Sequence, residues 1–310
     1  MKKKINPLNR SHLLNLRNIK YRREVETMFD NLFLNDTRNG DLTTNSFFFK
    51  KNKKIKAEIV AQEFGILAGG EEVIWWLKKN FSLKITAHII DGGKIKKGTR
   101  LITWQGYPQD ILRAERTILN ILSRLSGVAT LTANYAQKAC PTKVAGTRKT
   151  ILNVLEKKAI WLGGGLTHRI DLSDAVLVKE NHLSLLAGRF DIALKKLWSK
   201  VPPGSFLEIE VKNQKEAIQA CAAFQSIKLA NKRALVFVVM FDNFSTAEIK
   251  KTLQELKKIK IDQDIFFEAA GNLNLKNINR YARLGLGALS VGALTHSAAA
   301  IDLSMRIKSD

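Results

Sequence analysis

The chain has few cysteines, a shortage of acids relative to bases, and no long apolar run. Its two cysteines, Cys140 and Cys221, stand far apart with no paired metal-ligand spacing. That excludes a disulfide framework and a zinc site of paired cysteines, and it fits a reducing compartment in which both serve as small buried hydrophobes. The longest plainly apolar run, Ala234 to Phe241, has the length of a buried strand and falls well short of a membrane span. The start, MKKKINPLNR, is basic, but no long apolar stretch follows it, so it does not read as a secretory signal. A cytoplasmic location is expected, with no membrane partner.

Acids number 28 against 51 lysines and arginines, giving a formal charge of +23. Such an excess favours weak association with polyanions. It is not gathered into a recognisable motif: there is no C-x-x-C finger, no aromatic ribonucleoprotein motif and no basic zipper. Much of it lies in the amino-terminal segment, in the run Lys50-Lys51-Asn52-Lys53-Lys54-Ile55-Lys56 and on helix faces such as 250–260. The charge reads as surface character, and no specific nucleic-acid partner is expected.

What is present is an α/β pattern in 310 residues, enough for one large domain and a smaller one. A helix is predicted around 22–35. The β-branched and apolar runs 57–64, 83–90 and 99–105 predict strands, with turns at Gly69-Gly70 and Gly92-Gly93 and a short helix over Glu71–Lys79. This portion suggests a small α+β layer. Residues 107–139 turn helical, with Ile111, Ile118, Leu119, Leu122 and Leu125 on one face, and Gly127 is expected to interrupt or join two helices. From 143 onward strands and helices alternate. Strands are predicted at 174–178, 206–211, 234–240, 264–268 and 288–291, and helices at 183–199, 213–225, 245–259 and 273–284. Repeated βα units make a parallel sheet or barrel whose ligand residues sit at strand carboxyl ends, and Lys179, Glu210, Asp242 and Glu268 fall at or near those ends.

Thr147-Arg148-Lys149-Thr150, Gly163-Gly164-Gly165, His168-Arg169 and Lys179 fall in one short passage. Arginine offers carboxylates and phosphates a rigid fork, lysine a point charge, and close glycines let an anion approach the backbone. The same residues could equally be a solvated basic face around tight turns. Glu208 and Glu210 are two apart, so a strand would point both to one face. There they could meet a metal or ribose hydroxyls, or face solvent. Asp242-Asn243 repeats the arrangement one unit later. Hard oxygen ligands suit magnesium, but no spacing specifies a protein-only metal cage, so magnesium is expected to arrive with a polyphosphate substrate.

GTRKT at 146–150, EKKAIWLGGGLTHRIDLSDAVLVKENH at 156–182, EIEV at 208–211, FDNF at 241–244 and VGALTHS at 291–297 resemble, in that order, the nicotinate-nucleotide pyrophosphorylase (quinolinate phosphoribosyltransferase) family. GDLTT at 40–44, LAGG at 67–70, DGGKIKKGTRL at 91–101 and ERTILNILSRLSGVAT at 115–130 extend the likeness over nearly the whole chain. The resemblance implies an incomplete α/β barrel of the type II phosphoribosyltransferase kind with an amino-terminal α+β open-faced sandwich domain. Its implied boundaries are 22–126 for the sandwich, 127–290 for the barrel, and a segment 291–310 packing back on the sandwich. It implies a homodimer with a shared active site.

The implied reaction joins quinolinate to phosphoribosyl pyrophosphate and yields nicotinate mononucleotide, pyrophosphate and carbon dioxide, a step in NAD synthesis. Magnesium accompanies phosphoribosyl pyrophosphate, and no organic cofactor is expected. By the same resemblance Arg148, His168 and Arg169 hold the quinolinate carboxylates, helped by Arg116 of the neighbouring subunit. Lys149 and Lys179 face charge at the reacting centre. Glu210 and Asp242 hold the ribose or magnesium-bound pyrophosphate, and the Gly271 and Gly292 loops cradle the 5′-phosphate. Two stretches depart from the family pattern. Thr150–Glu156 lacks the usual proline-glycine-leucine-arginine, and Ala270-Gly271-Asn272 stands where serine-glycine-glycine is usual. A molybdenum-associated paralogue with another substrate, or a catalytically weakened anion-binding member, are the alternatives. Lys179-Glu180-Asn181-His182 favours the quinolinate enzyme.

Overall fold

The computed structural model describes residues 6–47, 53–231 and 235–308. Residues 1–5, residues 50–52 of the basic run and Ala234 at the head of the apolar run lie outside them. The described residues divide into two compact units, neither continuous in sequence. One is built from residues 11–133, 150–164 and 294–310, the other from 1–10, 134–149 and 165–293. No described helix is long and apolar enough to cross a membrane.

The chain opens with α1 (Ile19–Thr37) and α2 (Leu42–Phe47), then β1 (Ile55–Ala61), β2 (Gly65–Ile66), α3 (Gly70–Asn80), β3 (Lys84–Ala87), β4 (Lys94–Ile95) and β5 (Arg100–Gly106). Helix α4 (Pro108–Lys138) follows, then β6 (Lys143–Gly146), α5 (Asn153–Leu162), β7 (Val176–Val178), α6 (Glu180–Ser184) and α7 (Phe190–Leu197). Next come β8 (Phe206–Val211), α8 (Gln214–Ala230), β9 (Val236–Asp242), α9 (Thr246–Lys258) and β10 (Ile265–Ala270). The chain closes with α10 (Ile278–Tyr281), β11 (Ala288–Val291), α11 (Ala293–His296) and β12 (Leu303–Lys308).

The first unit carries an antiparallel sheet in the order β12-β1-β5-β3. β12 comes from the end of the chain and pairs with β1 from Lys56↔Lys308 to Ala61↔Leu303. Helix α3 has acids Glu71 and Glu72 in its first turn and Lys78 and Lys79 in its last, matching the helix dipole at both ends. Its free amino-terminal N–H groups are met by Asp91, which accepts from Gly70 at 2.8 Å and Glu71 at 3.3 Å. Gly127 does not interrupt α4, which runs unbroken through it. A Cβ at Gly127 would lie 2.9 Å from the Ala299 carbonyl carbon, so the glycine is there for close backbone packing. Gly163, at the end of α5, is similar. It is not an anion cradle, because a Cβ would collide with the Ala129 carbonyl oxygen and sit 2.7 Å from Thr132 Cβ on α4.

The second unit is a parallel sheet in the order β6-β11-β10-β9-β8-β7, flanked by helices, which makes an incomplete α/β barrel. Its central strand β9 is apolar along both faces up to its last residue, Asp242. Phe237, Val238, Val239 and Phe241 of β9 are all fully buried, as a strand covered on two sides requires. Helix starts are chemically defined. Asn213 accepts the Glu216 N–H ahead of α8, and Ser245 and Glu248 form a reciprocal capping box at α9. The single helix expected over 183–199 is broken into α6 and α7, because Ala187 and Gly188 take left-handed φ values of 49° and 70°. Residues 273–284 give only the short α10, since Asn274 and Asn277 spend their side chains on a turn. Leu8 threads into the barrel core with Ala145, Leu166, Phe206 and Val238.

Candidate active site

The barrel strands deliver charged groups at their carboxyl ends. Lys179 stands one residue beyond β7, Glu210 is the penultimate residue of β8, and Asp242 ends β9. Lys179 Nζ lies 3.0 Å from Glu210 Oε2, and the carboxylate is mostly buried while the ammonium is half exposed. Lys212 feels both Glu210 and Asp242, although its hydrogen bond to Glu180 is what chiefly raises its pKa. Two carboxylates are thus gathered among lysines. With Lys179 already on Glu210 they do not form a closed cation cage. Their hard oxygens are of the kind that would suit a magnesium ion.

Beyond β6 the backbone carries Arg148 and Lys149 into solvent. Arg169 is buried, at 7% exposure, and its Nη1 donates to the Ala175 carbonyl at 3.2 Å. Burial, and after it the Arg148 charge, lower the Arg169 pKa, against weaker attraction from Glu208, Asp171 and Asp174. Two guanidinium groups that repel each other are relieved by an anion placed between them. Asp174 is engaged by Arg10, with Nη2 at 2.7 Å and Nε at 2.9 Å.

His168 has one ring nitrogen hydrogen-bonded and the other set beside two carboxylates. Nδ1 accepts the Arg169 N–H at 2.7 Å, and Nε2 lies 3.0 Å from Glu208 Oε2 and 3.5 Å from Glu268 Oε2. All three side chains are buried. Burial opposes a charged imidazole, but the two carboxylates overcome it and push His168 up to about 9. Burial, with Glu268 adding and His168 opposing, pushes Glu208 up to about 7. Both shifts favour the protonated forms of His168 and Glu208. The Arg169 N–H pointing at Nδ1 disfavours a proton there, so the ring proton sits on Nε2, on the side of Glu208.

This trio has the composition of a metal site, its donor atoms all within 4.8 Å of one another. The tautomer argues against one. A histidine bound to metal through Nε2 carries its proton on Nδ1 and needs an acceptor there, whereas His168 Nδ1 faces a donor.

The phosphate-loop candidates lie at the ends of β10 and β11. Gly271 has φ 92° and a Cβ there would sit 2.8 Å from the Asn243 backbone nitrogen. Asn272, in the family's glycine position, takes a left-handed φ of 50° and donates Nδ2 to Asn243 Oδ1 at 3.1 Å. Asparagine tolerates that conformation better than most residues. Gly292 follows β11 directly. The rebuilt stretch after Lys149 is anchored by Glu156, which accepts the Ile151 N–H at 3.0 Å and pairs with Arg124 at 2.7 Å.

Arg148, Lys149, His168, Arg169, Lys179, Glu210, Asp242, Gly271 and Gly292 all belong to the barrel unit, while Arg116 is exposed on α4 in the other. Sequence reasoning missed Arg10 and the meeting of His168 with Glu208 and Glu268. No local signal announces either, since the partners lie far apart in the chain.

An incomplete parallel barrel with cationic forks and carboxylates at its strand ends defines an enzyme of the phosphoribosyltransferase class. The comparisons narrow this. Residues 128–306 match the quinolinate phosphoribosyl transferase C-terminal domain and residues 41–126 its N-terminal domain. A probable nicotinate-nucleotide pyrophosphorylase of Methanothermobacter thermautotrophicus is 34% identical over 274 residues, covering 86% of this chain and 93% of the relative. The structure of the nicotinate-nucleotide pyrophosphorylase from Francisella tularensis superposes with a TM-score of 0.75 at 33% identity, covering 92% of this chain and 96% of that one. NadC from Streptococcus pyogenes gives a TM-score of 0.79 at 28% identity, covering 92% and 97%. The chain belongs to the quinolinate phosphoribosyltransferase family.

Proposed function

We propose that this protein joins quinolinate to phosphoribosyl pyrophosphate, releasing pyrophosphate and carbon dioxide and forming nicotinate mononucleotide. The observation that carries the reading is the barrel unit's combination of the Lys179–Glu210 pair, 3.0 Å apart at adjacent strand ends, with the cationic Arg148 and Arg169. A planar dicarboxylate answers that arrangement, because each carboxylate can take a guanidinium fork. Lys149 and Lys179 neutralise charge at the reacting centre. Glu210 and Asp242 hold the ribose and the magnesium-bound pyrophosphate, and the Gly271 and Gly292 loops receive the 5′-phosphate.

The chemistry follows from these groups. The pyridine nitrogen of quinolinate attacks carbon one of the ribose as the bond to pyrophosphate breaks. Positive charge developing on the sugar is stabilised by the Glu210 and Asp242 carboxylates, and negative charge on the leaving group by the lysines. Magnesium, when bound with the substrate, adds Lewis-acid stabilisation of the pyrophosphate oxygens. The glycosylated ring nitrogen is positive, so it stabilises the electron pair left on the adjacent ring carbon as that carboxylate departs as carbon dioxide, and a proton then takes up that pair at the carbon. Protein groups position and neutralise.

A homodimer in which Arg116 of one subunit completes the barrel mouth of the other accounts for an exposed arginine on α4. The sandwich domain is taken as 22–126, the barrel as 127–290, and 291–310 as a returning segment. The substrate claim is tested by offering quinolinate and nicotinate with phosphoribosyl pyrophosphate and magnesium. Loss of one desolvated charged contact costs several kcal/mol, so quinolinate turns over at least a hundredfold faster, on the order of magnitude of that loss. Equal turnover of nicotinate contradicts the reading.

A further inference from the structure

Strands β8 and β10 are separated in the sheet by β9, yet Glu208 and Glu268 meet at one imidazole. The register shows how. Glu208 pairs with Val238 and Glu268 with Met240, and Val238 and Met240 are two apart on β9, so the four side chains share one face. Both carboxylates are fully buried, and a buried carboxylate without a partner costs several kcal/mol. They persist there because the ring stands between them.

The ring in turn holds a turn that would not form unaided. His168 has φ 54°, a left-handed conformation that costs a non-glycine residue roughly 1–2 kcal/mol. Four contacts pin it: its N–H donates to the Leu8 carbonyl at 2.8 Å, Nδ1 takes the Arg169 N–H, Nε2 faces the two glutamates, and the ring meets Phe206 edge-on at 5.5 Å. Nδ1 is thus engaged by a hydrogen bond, while Nε2 is held by its closeness to the two carboxylates, without a hydrogen bond of good geometry. The residue whose backbone this arrangement fixes is Arg169.

We propose that Glu208, His168 and Glu268 form a buried strut that fixes the His168–Arg169 turn and so aims the Arg169 guanidinium at the substrate carboxylate. Glu208 and Glu268 are then positioning residues, and His168 acts through Arg169. The proposal rests on the reading of Arg148 and Arg169 as the carboxylate-binding pair. A misplacement of about 1 Å at a positioning contact is worth roughly a hundredfold.

The test uses the full-length protein with Glu208→Gln, Glu268→Gln and His168→Asn, the last because asparagine keeps a left-handed backbone without the ring. Michaelis constants for quinolinate and phosphoribosyl pyrophosphate are measured separately. The strut predicts a rise of roughly ten- to a hundredfold in the quinolinate constant, with the phosphoribosyl pyrophosphate constant held within about twofold. In an Arg169→Ala background the glutamate substitutions add less than about twofold, because the residue they aim is gone. If Glu208→Gln does not fold, Glu268→Gln and His168→Asn carry the same expectation. Equal rises in both constants, or full additivity with Arg169→Ala, overturn the strut, as do unchanged quinolinate constants in an active wild-type background. A wild-type protein that does not turn over quinolinate overturns instead the functional reading beneath it.

Discussion

Asp91 offers the sharpest pH prediction. Its carboxylate caps α3, accepting from Gly70 and Glu71, while Lys158 Nζ sits 2.6 Å from Glu71 Oε2 and 2.5 Å from Glu72 Oε1. Burial, and after it the charge of Glu72, push Asp91 up from 3.8 to about 6, with the capping bonds and Lys158 opposing. A shift of about two units is worth roughly 3 kcal/mol at 1.36 kcal/mol per unit. The folded state holds this proton where the unfolded chain has released it. Stability from this group is therefore fully present below about pH 4 and is lost as pH rises through about 6. Asp91→Asn mimics the protonated form and still caps Gly70. Allowing about 1 kcal/mol for the weaker cap, the variant should be roughly 1–2 kcal/mol more stable than wild type at pH 7 and no more stable at pH 4. Urea unfolding at intervals across that range, with the two profiles subtracted, isolates Asp91 from the other carboxylates. Parallel profiles would refute the reasoning.

The remaining predictions concern packing and the shared site. Gly163→Ala should cost about 1–3 kcal/mol and lower the melting temperature, because the new Cβ meets the Ala129 backbone. Gly98→Ala, at φ 85° with nothing within 4 Å, should lose only about 1 kcal/mol; equal losses would remove the packing argument. Glu210→Gln and Asp242→Asn should keep the wild-type melting temperature and quinolinate binding by calorimetry while turnover falls at least a hundredfold, on the order of a lost transition-state contact; normal turnover in both would dismiss their catalytic role. Mixing Arg116→Ala and Lys179→Ala chains should restore part of the activity through heterodimers, each with one intact mouth. Confirmed heterodimers without activity would count against a composite site.

Much of the barrel was legible because its strands are short, apolar and bounded by turn residues. β8 and β11 fall on the predicted residues, 206–211 and 288–291. The βα alternation alone implied a parallel sheet, and the positions of Lys179, Glu210 and Asp242 near strand ends followed from it. What sequence did not yield depends on contacts across the chain. Gly127 and Gly163 looked like a helix break and an anion cradle, since a glycine's local freedom is visible in sequence and the neighbouring backbone is not. Glu208 read as paired with Glu210 on one strand face, and Glu268 as a residue at a strand end. Only the register through β9 brings them to His168. Leu8 and Arg10 sat in a segment that read as basic surface, yet one fills the barrel core and the other engages Asp174.

The central claim is a transfer coupled to decarboxylation on one substrate, and stoichiometry tests it most directly. The wild-type protein is given quinolinate labelled in the carboxylate adjacent to the ring nitrogen, with phosphoribosyl pyrophosphate and magnesium, and carbon dioxide, pyrophosphate and nicotinate mononucleotide are quantified together. The account predicts equal amounts of all three, with the label recovered in the gas. Pyrophosphate release without labelled carbon dioxide, or no product from quinolinate at all, would contradict it.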